Sequence, residues 1–190
     1  YSSIAAGIGS LKGPKHGGAN IKVHDMLNHL KQNINDWTNE TEIQNYLERI
    51  VKGTAYDGSG LIYGIGHAVY TLSDPRAVLL KGMARQLAQE KGRTKEFEFM
   101  ERIERLAGAA IHDVKGKQKN FCANVDFYSG FVYDLIGLPV EIYTPLFAMA
   151  RIVGWCAHRN EELCFSGRRI IRPAYRCVAD IRNYTPINQR

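Results

Sequence analysis

The stretch "NETEIQNYLERIV" at residues 39–51 decides the fold class. Asn39 and Glu42 have the spacing of a capping box, in which each side chain bonds the backbone N–H of the other residue. The apolar residues after this pair recur at helical spacing, and they are Ile43, Tyr46, Leu47, Ile50 and Val51. That period places them on one face of an amphipathic helix. The segment is therefore predicted to be a helix that buries one side.

Similar helical signals recur along the rest of the chain. Further helices are expected at residues 21–30, 75–91, 94–107, 125–136 and 144–158. Asp74 and Pro75 supply an N-cap and a first-turn proline for the second of these. Alternation of the β type is hardly visible, so the predicted fold class is all-α. The residues after Pro173 are expected to form a loop or an extended arm.

Composition limits the classes of function. The chain has 190 residues, 45% of them hydrophobic, and no apolar run long enough for a transmembrane helix is present. The formal net charge of +6 is spread along the sequence, with short basic clusters at 115–119 and 168–176. A solvated basic surface and a site for an anionic small molecule fit this pattern, whereas a nucleic-acid interface would need one basic stripe.

Two further features bear on the class of protein. The four cysteines form no Cys-x-x-Cys pair and have no zinc-type spacing, which indicates reduced thiols in a cytoplasm-like compartment. The opening "YSSIAAGIGS" has no methionine, basic flank or long apolar run, so it is not interpreted as a signal peptide. We expect a preceding N-terminal portion that this sequence does not include.

Candidate functional residues lie at the junctions between predicted elements. His16 lies within the glycine-rich stretch "GPKHGGAN", and His67 is the last residue of "GIGH". Asp126 lies at the start of an apolar helix, and Arg151 interrupts the apolar run "PLFAMARIVGW". Each has a structural alternative: the histidines as polar loop residues, Asp126 as a carboxylate that complements the helix dipole, and Arg151 as a member of an ion pair.

Taken together, these residue types suggest one kind of chemistry. Arg76 follows a helix-starting proline and Arg172 precedes another proline, which adds two guanidinium groups to the set. A carboxylate can remove a proton from carbon beside a carbonyl, and a neutral donor can stabilise the enolate that forms. Arginine forks bind carboxylates through paired hydrogen bonds. The set therefore favours deprotonation of carbon beside a carbonyl, on a substrate whose carboxylates the arginines hold.

Five blocks of sequence resemble the citrate synthase family, and they occur in order along the chain. They are "SLKGPKHGGAN" (10–20), "GIGHAVYTLSDPR" (64–76), "NVDFYSGF" (124–131), "RIVGWCAHRNE" (151–161) and "RIIRPAY" (169–175). The resemblance covers essentially the whole chain. Members of that family are much longer, so the resemblance implies that this chain is the C-terminal part of such a protein.

The resemblance implies a role for each catalytic candidate. Asp126 would be the base that removes a methyl proton from acetyl-CoA, while His16 would hydrogen-bond the thioester oxygen as the enol forms. His67 would donate to the ketone of oxaloacetate. Citrate and CoA would be the products, in a step of the tricarboxylic acid cycle that needs no metal or other cofactor because acetyl-CoA is a substrate.

It also implies binding roles. Arg76 and Arg151 would hold oxaloacetate carboxylates, and Arg172 would reach a carboxylate in the partner subunit of a homodimer or higher oligomer. The segment that lines the adenine of CoA would comprise Gly64, Ile65 and Gly66. The implied location is cytoplasmic, or the mitochondrial matrix in a eukaryote, with neither nucleic acid nor membrane as a partner.

The family resemblance divides the chain into parts of two domains. Residues 18–127 would form the small domain, and residues 1–17 and 128–190 would belong to the large domain, whose first portion is absent. Because that portion would carry another oxaloacetate-binding histidine, the chain alone is expected to be inactive. The apolar helix at 145–158 is expected to need cover on more than one face, so the chain alone should self-associate or expose an apolar patch.

One departure and three alternatives remain open at this stage. The family often has a basic residue for a CoA phosphate where this chain has Thr71, and Lys81 is a candidate substitute. A 2-methylcitrate synthase that uses propionyl-CoA would differ by one methyl group in its substrate. A non-catalytic helical domain that binds CoA or another anion is the second alternative, and a nucleic-acid binder is the third and least favoured.

Overall fold

The computed structural model describes residues 1–12, 17–116, 120–164 and 186–189. The α-helices within these ranges are α1 (Ser2–Leu11), α2 (Ala19–Asn33), α3 (Glu40–Val51), α4 (Pro75–Glu90), α5 (Thr94–Lys115), α6 (Val125–Leu135) and α7 (Tyr143–Cys164). Short 3-10 turns occur at Val140–Ile142 and Ile187–Gln189. The described residues contain no β-ladder beyond one isolated antiparallel bridge between Ile65 and Ala123. The all-α prediction is confirmed.

Helix starts follow the local chemistry, with one difference. The Asn39 side chain accepts a hydrogen bond from the Glu42 backbone N–H at 3.1 Å, as the capping box predicts. The reciprocal bond is replaced, because the Asn39 N–H already donates to the Asp36 carbonyl at 3.1 Å. The Glu42 carboxylate instead accepts from the backbone N–H groups of Asn35 and Asp36. Glu42 therefore stabilises the turn before α3 and does not make the second hydrogen bond of a capping box.

The main core lies between α2, α3, α5 and α6. Helix α5 packs against α3, and α6 packs against both α2 and α4. All five residues of the apolar stripe on α3 are buried. The largest fully buried side chains of the core include Phe97, Phe99, Met100, Ile103, Phe127 and Tyr128. Burial of these apolar side chains is the main source of stability for this part of the chain.

Three helices extend beyond their predicted ends. Helix α2, predicted at 21–30, runs over Ala19–Asn33. Helix α5 continues from the expected residue 107 to Lys115, because Ala110 and Ile111 carry the buried face further. Gly116 then ends it in the left-handed conformation at φ 62°. Helix α7 continues from the expected residue 158 to Cys164.

Helices α1 and α7 form a second, less buried packing unit. Helix α1 was not predicted, and it packs along α7 with Gly7 against Trp155, where an added Cβ would lie 3.1 Å from the indole. No residue of α1 is buried, and Tyr143 is the single buried residue of α7. Apolar side chains therefore remain open on this pair, with Met149 66% and Val153 76% exposed. None of the helices in the described ranges has the length and hydropathy to cross a bilayer.

Candidate active site

The loop that carries His67 is attached to the segment just before α6. Two backbone hydrogen bonds flank the antiparallel bridge: the Gly66 N–H donates to the Cys122 carbonyl at 2.7 Å, and the Asn124 N–H donates to the Gly64 carbonyl at 2.9 Å. His67 directly follows this attachment. The two sequence blocks "GIGH" and "NVDFYSGF" are thus joined in space.

Glycine at position 64 allows this close approach. Gly64 has a φ of 81°, and an added Cβ would lie 2.9 Å from both the Phe127 Cβ and the Val23 Cγ2. A side chain there would be strained by its backbone conformation and would also clash with α6. Gly66 has a φ of 106°, which likewise favours glycine. The permissive backbone therefore serves to bring the loop against the helix that carries Asp126.

Backbone contacts fix the orientation of the His67 ring. Its Nδ1 accepts from the backbone N–H groups of Val69 and Tyr70, each at 3.0 Å. With Nδ1 occupied as an acceptor, the neutral ring carries its proton on Nε2. That Nε2 lies 3.3 Å from Nη2 of Arg76. The imidazole and the guanidinium therefore lie next to each other, and the Arg76 N–H can donate to Nε2 whenever that nitrogen is unprotonated.

Asp74 holds Arg76 in place beside this imidazole. The buried Asp74 carboxylate accepts from the backbone N–H of Arg76 at 3.0 Å and so caps α4. Its two oxygens also accept from Nε and Nη2 of Arg76. These Arg76 hydrogen bonds lower the pKa of Asp74, so the carboxylate stays ionised. Because the Arg76 side chain is 52% exposed, the guanidinium is anchored on one side and accessible on the other.

Asp126 lies in the first turn of α6 and faces a small cavity. The cavity measures about 160 Å³ and is lined by Leu11, Gly17, Gly18, Ala19, Asn20, Asp126, Thr144 and Phe147. Burial raises the pKa of Asp126, the charge of Arg76 lowers it, and the charge of Asp74 raises it further. Desolvation is therefore the main cause of the raised pKa. A carboxylate with a raised pKa is a stronger base than an exposed one.

Arg151 is connected to this cavity through an aromatic ring. Its guanidinium carbon lies 5.7 Å from the ring centroid of Phe147, one of the cavity-lining residues. The contact is a cation–π interaction between neighbours on α7. Arg151 is exposed and does not contact His67 or Arg76 directly.

Two of the predicted site residues, His16 and Arg172, lie outside the described residues. Gly17, the next residue after His16 in the sequence, lines the same cavity as Asp126. Gly17 and Gly18 have φ values of 76° and 68°, a conformation that glycine adopts without strain.

Lys81 is engaged elsewhere. Its Nζ lies 2.6 Å from a Glu104 oxygen and 3.2 Å from a Glu101 oxygen, and Glu104 also accepts from the Tyr128 hydroxyl. These pairs hold α4, α5 and α6 together. The structure thus gives Lys81 a role between helices, and it offers no support for Lys81 as a substitute phosphate ligand.

Sequence reasoning missed two residues that organise the site, Asp74 and Asn124. Asp74 was identified as the N-cap of α4, but its two-oxygen contact with the Arg76 guanidinium was not foreseen. Asn124 caps α6 by accepting from the Asp126 N–H at 3.0 Å, and its amide nitrogen donates to the Gly66 carbonyl at 3.0 Å. The available signal was the same in both cases: a capping residue two positions before a charged candidate.

Metal and disulfide chemistry find no geometric support in the described ranges. No group of three or more His, Cys, Asp or Glu side chains there is placed to hold a metal ion. Cys122, Cys156 and Cys164 are free thiols.

Comparison with known proteins gives a consistent family. The model of the family described as citrate synthase, C-terminal domain, matches residues 1–174. The citrate synthase of Synechocystis is 36% identical over 191 residues, which cover 100% of this chain and 43% of that protein. Citrate synthase 2 of Bacillus subtilis is 39% identical over 191 residues, covering 100% of this chain and 45% of that protein.

A solved structure matches over the same extent. Citrate synthase from Thermoplasma acidophilum, determined as a ternary complex with carboxymethyl coenzyme A and oxaloacetate, superimposes with a TM-score of 0.70 at 34% identity. The match covers 100% of this chain and 46% of that chain. The chain therefore spans less than half the length of these relatives.

Proposed function

The chain belongs to the citrate synthase family, and from this membership we propose that it is the C-terminal portion of an enzyme that condenses acetyl-CoA with oxaloacetate to give citrate and CoA. One observation carries the proposal: the imidazole of His67, whose Nδ1 accepts from two backbone N–H groups, lies 3.3 Å from the Arg76 guanidinium, which Asp74 anchors. This pair supports a binding place for an acidic ketone, and the proposal assigns Asp126, whose pKa is raised, to the same site.

Asp126 begins the reaction as the base. It removes a proton from the methyl carbon of acetyl-CoA, and the electron pair of that C–H bond moves toward the thioester oxygen to give an enolate. His16 donates a hydrogen bond to the thioester oxygen, which stabilises the charge that develops there. The burial that raises the pKa of Asp126 makes this proton transfer less unfavourable.

His67 and the arginines prepare the second substrate. The Nε2–H of His67 donates to the ketone oxygen of oxaloacetate and makes the ketone carbon more electrophilic. Arg76 and Arg151 bind the carboxylates. The enolate carbon then forms a bond to the ketone carbon, while the electron pair of the C=O bond moves to the ketone oxygen, which takes the Nε2 proton of His67. Water hydrolyses the resulting citryl thioester, which releases citrate and CoA.

The remaining features of the proposal concern the whole enzyme. The backbone of Gly64, Ile65 and Gly66 lines the adenine of CoA. Arg172 reaches a carboxylate across the interface of a homodimer. Residues 18–127 form the small domain and the rest of the chain is part of the large domain, so that closure of the two domains excludes water from the enol. The proposed enzyme acts in the tricarboxylic acid cycle, in the cytoplasm or the mitochondrial matrix.

The test is turnover of the full-length enzyme, in which this chain is preceded by the portion that its relatives carry. Asp126→Asn should lower kcat by about 10²–10⁴-fold, the range that a general base contributes. Asp113→Asn, at an exposed position on α5, is the matched control and should leave kcat unchanged. Unchanged turnover in Asp126→Asn would instead identify a non-catalytic role for the chain.

The same assay tests which acyl-CoA the enzyme uses and whether the 190-residue chain is active alone. Wild-type enzyme should release CoA faster with acetyl-CoA than with propionyl-CoA, and the reverse order would indicate a 2-methylcitrate synthase. The 190-residue chain alone should form no citrate, because the site lacks a donor that the preceding portion supplies.

A further inference from the structure

We propose that Asn124 is a positioning residue that holds the imidazole of His67 and the carboxylate of Asp126 in register with each other. The proposal rests on the proposed function, since it assigns the two groups to the same reaction. Asn124 itself contacts neither substrate in this scheme. It acts through the backbone on either side of the site.

Three hydrogen bonds of Asn124 carry the proposal. Its backbone N–H donates to the Gly64 carbonyl at 2.9 Å. Its side-chain Nδ2 donates to the Gly66 carbonyl at 3.0 Å, and its Oδ1 accepts from the Asp126 backbone N–H at 3.0 Å. One residue thus binds the loop immediately before His67 and the first turn of the helix that carries Asp126.

Helix capping alone does not require an amide at this position. Helix α4 is capped by the carboxylate of Asp74, and α3 by the Oδ1 of Asn39. Serine, threonine, aspartate and asparagine all serve as N-caps with similar effect. Only an amide of this length combines the acceptor that caps α6 with a donor that reaches the Gly66 carbonyl.

The bond to Gly66 matters because of where it lies in the chain. Gly66 has a φ of 106° and no side chain, so its own packing does little to fix its peptide. The next residue is His67, whose ring orientation depends on the path of the backbone. A displacement of about 1 Å in a reacting group is enough to lower a rate by about a hundredfold. Loss of the amide donor should therefore misplace the His67 Nε2 while α6 stays capped.

The test uses the full-length enzyme with a matched pair of substitutions. Asn124→Ser retains a capping hydroxyl but removes the amide donor, and Asn39→Ser makes the same change at the cap of α3. Both variants should melt at similar temperatures, because both keep a cap. Asn124→Ser should lower kcat by about tenfold or more, within the range expected for a misplaced donor, whereas Asn39→Ser should keep the wild-type kcat.

A spectroscopic readout separates positioning from stability. The infrared stretch of the oxaloacetate ketone, measured on the bound substrate, falls in frequency when a donor polarises the carbonyl. In Asn124→Ser this band should move toward its position in free oxaloacetate, and in Asn39→Ser it should not move. Asn124→Asp, which is isosteric and keeps the cap but lacks the amide donor, should repeat the loss of kcat at a pH where Asp126 is ionised.

The outcomes distinguish the two levels of the proposal. If Asn124→Ser and Asn124→Asp retain the wild-type kcat and ketone band, Asn124 is a capping residue only. If the wild-type enzyme forms no citrate, the proposed function fails before the role of Asn124 is reached. Citrate formation by the wild type together with a selective loss in the Asn124 variants supports both.

Discussion

Arg76 binds Asp74 through two parallel hydrogen bonds, from Nε to Oδ1 at 3.0 Å and from Nη2 to Oδ2 at 2.7 Å. The Asp74 side chain is fully buried, and its charge is balanced by this guanidinium. The pairing fixes the position of Arg76 relative to His67, and the charge of Arg76 lowers the pKa of Asp126. The same arginine therefore connects the cap of α4, the imidazole and the candidate base.

This arrangement predicts the pH dependence of turnover. A base acts in its ionised form, so kcat/KM should fall as the pH drops through a pKa of Asp126 that lies above the ordinary 3.8. Arg76 lowers that pKa, so Arg76→Gln should move the acid limb to higher pH in addition to weakening oxaloacetate binding. The pH profile of kcat/KM measures both effects.

Arg105→Gln is the control for this shift. Arg105 is exposed and pairs with Glu40 on α3, so its removal should leave the acid limb where it is in the wild type. An acid limb that does not move in Arg76→Gln would mean that Arg76 and Asp126 are not electrostatically coupled.

Gly64 should be intolerant of a methyl group. In Gly64→Ala the new Cβ would lie 2.9 Å from Phe127 and Val23 atoms, at a φ of 81°. The backbone strain costs about 1–2 kcal/mol and the overpacking about 1–3 kcal/mol. We expect a loss of several kcal/mol in the free energy of unfolding, measured by urea denaturation, together with loss of turnover in the full-length enzyme.

Gly108→Ala gives the opposite expectation for the same chemical change. Gly108 lies in the interior of α5, and an added Cβ would meet no heavy atom within 4 Å. Alanine there should raise the free energy of unfolding by about 0.5–1 kcal/mol. Equal destabilisation by the two substitutions would contradict the close contact between the loop and α6.

Glu96 should make stability depend on acidity. Hydrogen bonds from Arg93 and, to a smaller extent, from Lys31 lower the pKa of Glu96 from 4.5 to about 2. Desolvation of the carboxyl opposes them but does not cancel them. A lowered pKa in the folded state stabilises the fold above pH 4.5, and this contribution is lost as the pH falls toward 2. Solvent screening at this partly exposed pair keeps the contribution below the roughly 3 kcal/mol to which the full shift corresponds.

The measurement is the difference in unfolding free energy between wild type and Glu96→Gln. That difference should be large at neutral pH and should shrink as the pH falls to 2. Glu98→Gln is the control, since the Glu98 side chain is half-exposed and its ion pair with Arg102 is long, at 3.8 Å. A difference that stays constant with pH would show that Glu96 gains nothing from its two partners.

The open faces of α1 and α7 should cause the chain to self-associate. Ile8 and Met149 line an apolar groove between the two helices, and Val153 lies one turn after Met149. The apparent mass in light scattering should rise with concentration, because such surfaces are normally covered. Combined Met149→Glu and Val153→Glu substitutions should reduce this association, whereas Leu72→Glu, at an exposed loop position, should not. A monodisperse wild-type monomer would contradict this expectation.

Local chemistry explains what could be predicted of the fold. The cap at Asn39, the cap and proline at Asp74 and Pro75, and the stripe on α3 all depend on residues within two turns of each other. Helix α1 was not predicted although Ile4, Ile8 and Leu11 have helical spacing, because "SSIAAGIGSL" contains two glycines and has no side-chain cap at its start. The last turns of α5 were not predicted because their buried face is formed mainly by alanines, which give a weak apolar signal.

The site shows the same limit more sharply. His67 and Arg76 are nine positions apart, and their pairing follows from a short loop and a capped helix. Their relation to Asp126 depends on the attachment of that loop to the segment before α6. The second role of Asn124 depends on the Gly66 carbonyl, 58 positions earlier in the chain. No period or motif in the sequence reports such a contact.

The uneven burial of the helices also divides the molecule by its unfolding behaviour. Amide protons at the α3–α5 contact exchange with solvent only when the whole core opens, whereas those of α1 and α7 exchange through local opening, since few buried contacts oppose it. We therefore expect two cooperative units, in which the weaker one gains protection when the remainder of the enzyme docks onto it.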